Sequence, residues 1–314
     1  MQLSLKSALG RQRRLNQVGE TINSIATPAA AYSLRSLSGG DPLAVRVRRS
    51  SDNSEQDFTV SEINVGNLTS FVGSGNNGFV TKWYDQSGNN RPLIQTSATE
   101  QPTIVESGTF LNGVKSDKAT SNDTMQNLQV STDGTNANFG TDDWASGASS
   151  KLGLIYVGTI PQASIVSSSN NSIIWGGGRG VSGFQTGGLS LQVIKSGTDH
   201  WKLMNERNGL SPTTMQNGTL QDTDSDIVIY GIADNREFTI SVNNSGDTET
   251  ESADLDTREE TPLSLFGAYA ANGDRYYQRS TGGVCKECYL YAGTSITNIP
   301  TIATKINEHY SIYS

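Results

Sequence analysis

Residues 79–90 read FVTKWYDQSGNN, and this stretch decides more about the fold than any other part of the chain. Its first six residues alternate as in a β-strand, which places Trp83 and Tyr84 on opposite faces, with one ring in the core and the other partly exposed. Strict alternation also puts Val80 on the face opposite to Trp83. The Asp-Gln-Ser-Gly-Asn that follows is typical of a turn, because an Asp there bonds its own backbone. The stretch therefore predicts a strand that enters a structured turn.

The composition favours an all-β protein. The chain has 314 residues with 33 Gly, 34% hydrophobic and 17% charged residues, which suits many short strands joined by turns. Its net charge of −8 argues against a nucleic-acid-binding surface, and no apolar run is long enough to insert into a membrane. We expect one large β domain or two ordinary ones.

Further strand-like runs follow the same pattern, and turn-forming clusters separate them. These runs are 44–48, 152–157, 190–194, 226–230, 237–242, 262–266 and 287–291. Near the end of the chain, Ile302, Ile306, His309 and Tyr310 recur at helical spacing. This spacing predicts a short amphipathic C-terminal helix.

Residues 1–28 differ from the rest and predict an N-terminal arm, extended or helical, before a sandwich domain at 29–314. The segment is basic and lacks aromatic residues, and Thr27-Pro28 would stop a helix. One interpretation is a disordered leader, and the other is an arm that orders against an assembly partner. The residues predicted to serve such an arm are Leu5, Leu9, Arg11, Arg13, Arg14, Leu15 and Ile22. Because the segment has no continuous apolar core, we expect no secretory signal.

The two cysteines, Cys285 and Cys288, form a CxxC within a strand-like run. Positions i and i+3 of a regular strand point to opposite faces, so the thiols are not expected to share a metal or a disulfide. No second CxxC is present, and His200 and His309 are the only histidines. We therefore expect no metal and no cofactor, and at least one buried structural cysteine.

Four segments, read in order, resemble the catalytic domain of fungal α-L-arabinofuranosidase B and its relatives. They are AYSLRSL at 31–37, AVRVRRSSDN at 44–53, WYDQSGNN at 83–90 and KECYLY at 286–291. The resemblance implies a concanavalin A-like jelly-roll sandwich of two antiparallel sheets. The pattern also resembles domains found in structural proteins of tailed bacteriophages.

In that family, a retaining hydrolysis uses two carboxylates about 5–5.5 Å apart. The resemblance makes Glu206, in the run Trp201–Asn208, the nearest counterpart of the nucleophile, one residue out of register. The place of the family's acid/base reads Leu265-Phe266-Gly267-Ala268 and holds no acid, and Asp274 lies several residues further on. Losing the proton donor costs roughly 10²–10⁴-fold in rate. We therefore expect a catalytically degenerate domain.

Sugar contacts are predicted for Trp83, Asp85, Asn89 and Trp175, although each has a structural alternative. Asp85 is expected to fix its turn, and either tryptophan is a candidate core residue. The Arg46-Val47-Arg48-Arg49 cluster is interpreted as a solvated sheet edge that deters pairing with other strands.

Three functions remain open from the sequence. The first is a virion structural protein of a tailed bacteriophage, a capsid decoration or a tail or fibre component. It would be assembled in the host cytoplasm, join other virion proteins through its arm, and form a homo-oligomer that displays a lectin-like jelly roll to surface glycans. The second is a free carbohydrate-binding module. The third is an active retaining α-L-arabinofuranosidase-like hydrolase.

Overall fold

The computed structural model describes residues 21–116, 128–130, 138–139, 151–160, 172–177, 188–194, 200–206, 213–217, 225–234, 237–250, 261–267 and 283–314. The strands are β1 (Ala30–Ser33), β2 (Leu43–Arg49), β3 (Glu55–Thr59), β4 (Gly78–Trp83), β5 (Leu93–Ile94), β6 (Thr103–Glu106), β7 (Thr109–Lys115), β8 (Leu128–Val130), β9 (Asn138–Phe139), β10 (Leu152–Thr159), β11 (Ser172–Gly177), β12 (Gly188–Ile194), β13 (His200–Glu206), β14 (Thr213–Asn217), β15 (Ile227–Asp234), β16 (Glu237–Val242), β17 (Ser245–Thr250), β18 (Thr261–Leu265) and β19 (Val284–Ala292). The α-helices are α1 (Ile22–Ile25), α2 (Val60–Asn64), α3 (Asn67–Val72) and α4 (Ile299–Tyr310), and a 3₁₀ helix spans Gly293–Asn298. None of the helices in these ranges is long and apolar enough to cross a membrane.

The strands form a sandwich of two antiparallel sheets, which confirms the predicted jelly-roll class. The first sheet has the order β17-β16-β15-β10-β19-β1. The second has the order β3-β2-β4-β5-β8-β18-β11-β12-β13-β14. The hairpin of β6 and β7 connects β4 of the second sheet to β19 of the first.

The main core lies between the two sheets and is centred on aromatic rings. Tyr32 contacts Trp83 and Trp175, with ring centroids 6.1 Å and 5.8 Å apart, and all three side chains are fully buried. Val80 belongs to the same core as Trp83, so the predicted alternation fails at this point. The β2–β4 register shifts at Thr81, and the extra residue of this β-bulge turns both side chains inward.

A second core covers the outer face of the first sheet, where α4 and α1 pack. Gly153 of β10 permits this approach, because a Cβ there would lie 2.0 Å from the Cδ1 atom of Ile299. Ile22 of α1 is 3% exposed and lies in this second core. The prediction that Ile22 serves an assembly arm is therefore wrong, because its side chain is buried within its own domain. The other arm residues, Leu5 to Leu15, lie outside the described residues.

The two cysteines do not lie on opposite faces as the strand spacing predicts. The register of β19 against β10 shifts between Glu287 and Cys285, which makes Lys286 the extra residue of a bulge. Cys285 and Cys288 are consequently both buried in the main core, and both are free thiols. Burial raises the pKa of Cys288, and the hydrogen bond with the Cys285 side chain raises it further. The prediction of buried structural cysteine is confirmed.

Candidate functional site

The Asp85 carboxylate holds the turn of the WYDQSGNN stretch against β1. Its Oδ1 atom accepts from the backbone N–H groups of Ala31 at 3.0 Å and Ser87 at 2.9 Å. Its Oδ2 atom accepts from the Ser87 hydroxyl at 2.7 Å and the Arg91 N–H at 3.0 Å. Four donors from the protein thus surround this carboxylate, and the structure favours the turn-fixing interpretation over a direct sugar contact.

Gln86 and Asn89 attach the same turn to the segment around β1. The buried Gln86 amide accepts from the Leu37 N–H at 3.0 Å and donates to the carbonyl oxygens of Ser33 and Arg35. The exposed Asn89 donates through its Nδ2 atom to the carbonyl of Ala29 at 3.1 Å. We call residues 85–91 the clasp, because their side chains connect the end of β4 to the chain segment that carries β1.

Neither tryptophan that was considered for sugar stacking faces solvent. Trp83 donates from Nε1 to the Ser33 carbonyl at 3.3 Å, and Trp175 donates to the Tyr289 carbonyl at 2.8 Å. Both side chains have zero relative exposure, so the interpretation of either ring as a sugar platform is wrong. They are core residues whose polar atoms are satisfied internally.

Glu287 of β19 forms a buried ion cluster that the sequence did not indicate. Its carboxylate has zero exposure and pairs with the Arg35 guanidinium, and it also accepts from the hydroxyls of Ser33, Tyr289 and Tyr310. Burial alone would raise its pKa, but the charge and hydrogen bonds of Arg35 and the tyrosine hydroxyls together lower it. The cluster connects the segment after β1, β19 and α4, so its role is structural.

The outer face of the second sheet, opposite the main core, carries an accessible group of polar and aromatic side chains on β2, β3, β4 and the residue that follows β4. Arg46 binds Glu55 Oε2 through Nε at 2.7 Å and Asp57 Oδ2 through Nη1 at 2.9 Å. The Tyr84 hydroxyl donates to Asp57 Oδ1 at 2.6 Å, and the Lys82 Nζ atom lies 5.5 Å from the Tyr84 ring centroid. Tyr84 is partly exposed, as predicted, and burial and the Asp57 contact raise its pKa to about 12. This part of the outer face thus presents charged side chains beside a partly exposed aromatic ring.

The arginine cluster at 46–49 does not form a sheet edge. β2 pairs with β3 on one side and with β4 on the other, so among the described strands β3, not β2, lies at the edge. The edge interpretation is therefore wrong, and Arg46 and Arg48 project from the interior of the sheet onto its outer face.

Further along the same outer face, toward β12, the polar side chains are buried. Leu189 and Leu191 of β12 point into the main core, while Ser190 and Gln192 alternate with them and are 2% and 0% exposed. The β12–β13 register pairs Gly188 with Glu206, and paired positions of an antiparallel sheet share a face. Position 206 is thus on the outer face, at the end of β13.

The neighbourhood of the predicted acid/base contains no carboxylate in the described part of β18 and the residues after it. Ser264 is buried and donates to the Gly267 carbonyl at 2.6 Å. Phe266 is fully buried with a φ of 61°. The described residues therefore place a hydroxyl and an aromatic ring where the resemblance implies the family's proton donor. Asp274 lies outside the described residues.

Comparison with known structures agrees with the fold class. An arabinofuranosidase complexed with arabinofuranosyl-α-1,2-xylobiose has a TM-score of 0.55 at 12% identity, covering 88% of this chain and 62% of that one. A GH54 α-L-arabinofuranosidase soaked with a cyclic sulfate inhibitor has a TM-score of 0.52 at 11% identity, with the same coverage. This chain thus spans less than two thirds of those structures, and the likeness shows the fold alone. A tailspike protein 2 from the Escherichia coli O157:H7 bacteriophage CAB120 has a TM-score of 0.38, which is too low to indicate a shared fold.

No protein-family model matches the chain, and no curated protein matches its sequence.

Proposed function

We propose that this chain is a structural protein of a tailed-bacteriophage particle that displays a catalytically degenerate, carbohydrate-binding jelly roll. The open part of the outer face of the second sheet would hold the glycan, and residues 1–20 would attach the domain to other virion proteins. The domain would act as one copy in a symmetric oligomer on the capsid or tail.

The observation that carries the display proposal is the separation of two surfaces. The described chain begins at Thr21, and Ile22 packs immediately against α4 on the outer face of the first sheet. The group around Tyr84 lies on the outer face of the second sheet, on the other side of the sandwich. An arm that continues from Thr21 would thus hold the domain by one face and leave the other face free.

Support for a binding role without hydrolysis comes from four carboxylates in the described part of the chain. Asp85 and Glu287 are each surrounded by protein donors, and Glu55 and Asp57 both bind Arg46. A retaining hydrolase needs one free nucleophile and one proton donor that face the same sugar. The polar groups and the Tyr84 ring suit the reversible binding of a saccharide instead.

We expect that removing residues 1–20 leaves the domain folded and prevents its incorporation into particles. Ile22 and the second core stay intact in this truncation, so its melting temperature should match that of the whole chain. Cosedimentation of both chains with particles produced in cells provides the measurement. A matched control is Ile22→Ala, which should destabilise the domain by about 2–4 kcal/mol while the arm is retained. Normal incorporation of the truncated chain would contradict the attachment proposal.

A retaining α-L-arabinofuranosidase-like hydrolase is the second candidate, and one observation favours it. The β12–β13 register places position 206 in the outer-face row of the second sheet, and the resemblance makes this residue the nearest counterpart of the nucleophile. Release of nitrophenol from 4-nitrophenyl α-L-arabinofuranoside, abolished by Glu206→Gln, would establish this activity. If the wild-type chain releases no nitrophenol, the hydrolase candidate is contradicted.

A further inference from the structure

The lysines with described side chains divide into two kinds. Four of them pair with a carboxylate. These are Lys115 with Glu106 at 2.9 Å, Lys151 with Asp234 at 2.7 Å, Lys305 with Glu308 at 2.9 Å, and Lys286 with Asp226. Lys82 has no carboxylate partner among the described residues, and its ammonium group lies over the Tyr84 ring.

Arg48, on the neighbouring strand β2, also lacks a carboxylate partner among the described residues. Its guanidinium donates to Gln101 Oε1 at 2.7 Å, to Asn53 Oδ1 at 2.7 Å and to the Ala98 carbonyl at 3.2 Å, all of which are neutral acceptors. It also lies 4.7 Å from the centroid of the Phe79 ring. Arg48 therefore has no carboxylate partner in the described part of the chain.

The two cations belong to one surface. The β2–β4 register pairs Arg48 with Phe79 and Arg46 with Lys82, so these residues lie in adjacent rows of the outer face. The two nearby acids, Glu55 and Asp57, both bind Arg46. We name Arg46, Arg48, Lys82, Phe79 and Tyr84 the cationic face.

The side chains of the cationic face are half-buried, and this strengthens the attraction of its cations for an anion. Its five residues are all partly exposed rather than free in solvent. A cation that is partly removed from water interacts with an anion more strongly than a fully solvated one does. Aromatic rings beside the cations offer an apolar surface on which a sugar ring can pack.

We propose that the cationic face binds a saccharide that carries carboxylate groups, with Lys82 and Arg48 contacting the carboxylates and Tyr84 contacting a sugar ring. This inference rests on the proposed glycan-binding function and names its ligand class. Lys82 supplies a compact charge, and Arg48 supplies a planar donor group that matches a carboxylate.

The test compares two probes with the same sugar backbone, one with free carboxylates and one with neutral methyl esters. Octagalacturonate and its methyl-esterified form are titrated separately into the whole chain by calorimetry. We expect octagalacturonate to bind and the neutral ester to bind at least about tenfold more weakly, because the charge-assisted hydrogen bonds are lost. Lys82→Gln and Arg48→Gln should each weaken octagalacturonate binding by about tenfold or more.

The matched control is Lys305→Gln, which removes the same charge from α4 on the other side of the sandwich. It should change octagalacturonate affinity by less than about twofold, because exposed charges that far apart are screened. Unchanged melting temperatures for the three variants would show that the fold is intact.

Three results would overturn the inference. Equal affinity for the two probes would show that sugar rings alone are recognised, and the glycan-binding function would still stand. Unchanged binding by the Lys82→Gln and Arg48→Gln variants would show that the acidic saccharide binds to another surface. Absence of binding to both probes would remove the acidic ligand class, and the glycan-binding function would then depend on other saccharides.

Discussion

Arg35→Met should lower the free energy of unfolding by about 3–5 kcal/mol, because Glu287 would remain buried without its cation. The Glu287 side chain has zero exposure, and Arg35 is 25% exposed. Arg46→Met is the matched control, since Arg46 also binds carboxylates but is 38% exposed. It should cost about 1 kcal/mol or less. Urea denaturation measures both, and similar losses for the two variants would contradict a special role for the buried cluster.

The same cluster predicts how stability depends on pH. The pKa of Glu287 in the folded protein lies below its ordinary value of 4.5, so the folded state favours the charged form. This stabilisation is fully present above the ordinary pKa and is lost as the pH falls through the lowered one. Glu287→Gln should therefore be less stable than the wild type at neutral pH, and the difference should shrink on acidification below about pH 4.5. A difference that stays constant with pH would show that the carboxylate charge contributes nothing.

Asp85→Ala should destabilise the protein by about 3 kcal/mol, because several donors of the clasp lose a charged acceptor. Asp85→Asn retains one acceptor oxygen for the N–H groups of Ala31 and Ser87 and should cost less. Thermal and urea unfolding of the two variants rank these effects. If Asp85 instead contacts a glycan, Asp85→Asn would unfold like the wild type and lose saccharide binding.

Much of the fold was predictable from the sequence because alternation and turn residues are local signals. The runs at 152–157 and 237–242 lie in β10 and β16, and the C-terminal periodicity corresponds to α4. The helix α2 was missed, although Thr59 and Glu62 form a capping box whose spacing is visible in the sequence. Its five residues are too few for a periodic apolar pattern to stand out.

The bulges at Thr81 and Lys286 could not be predicted, because each depends on the register of a distant strand. They reverse the expected faces of Val80 and of one cysteine. A local alternation rule assigns faces correctly only until an extra residue is inserted.

The candidate site was predicted less well than the fold. The sequence pointed to aromatic and acidic residues of the WYDQSGNN stretch, but Trp83 is core and Asp85 is surrounded by backbone donors. The cationic face was missed because some of the hydrogen bonds that define it join residues that are far apart in the chain. Arg48 and Gln101, for example, are 53 residues apart. Only the folded sheet shows that Lys82 and Arg48 have no acidic partner in the described part of the chain.

The central claim is that this jelly roll binds glycans without cleaving them, and one measurement tests it most directly. The 314-residue chain is immobilised and incubated with a mixture of neutral and acidic oligosaccharides. The retained saccharides are then eluted and their masses are measured by mass spectrometry. The proposal predicts that at least one saccharide is retained with its mass unchanged. Recovery of shortened products, or retention of none, would contradict it.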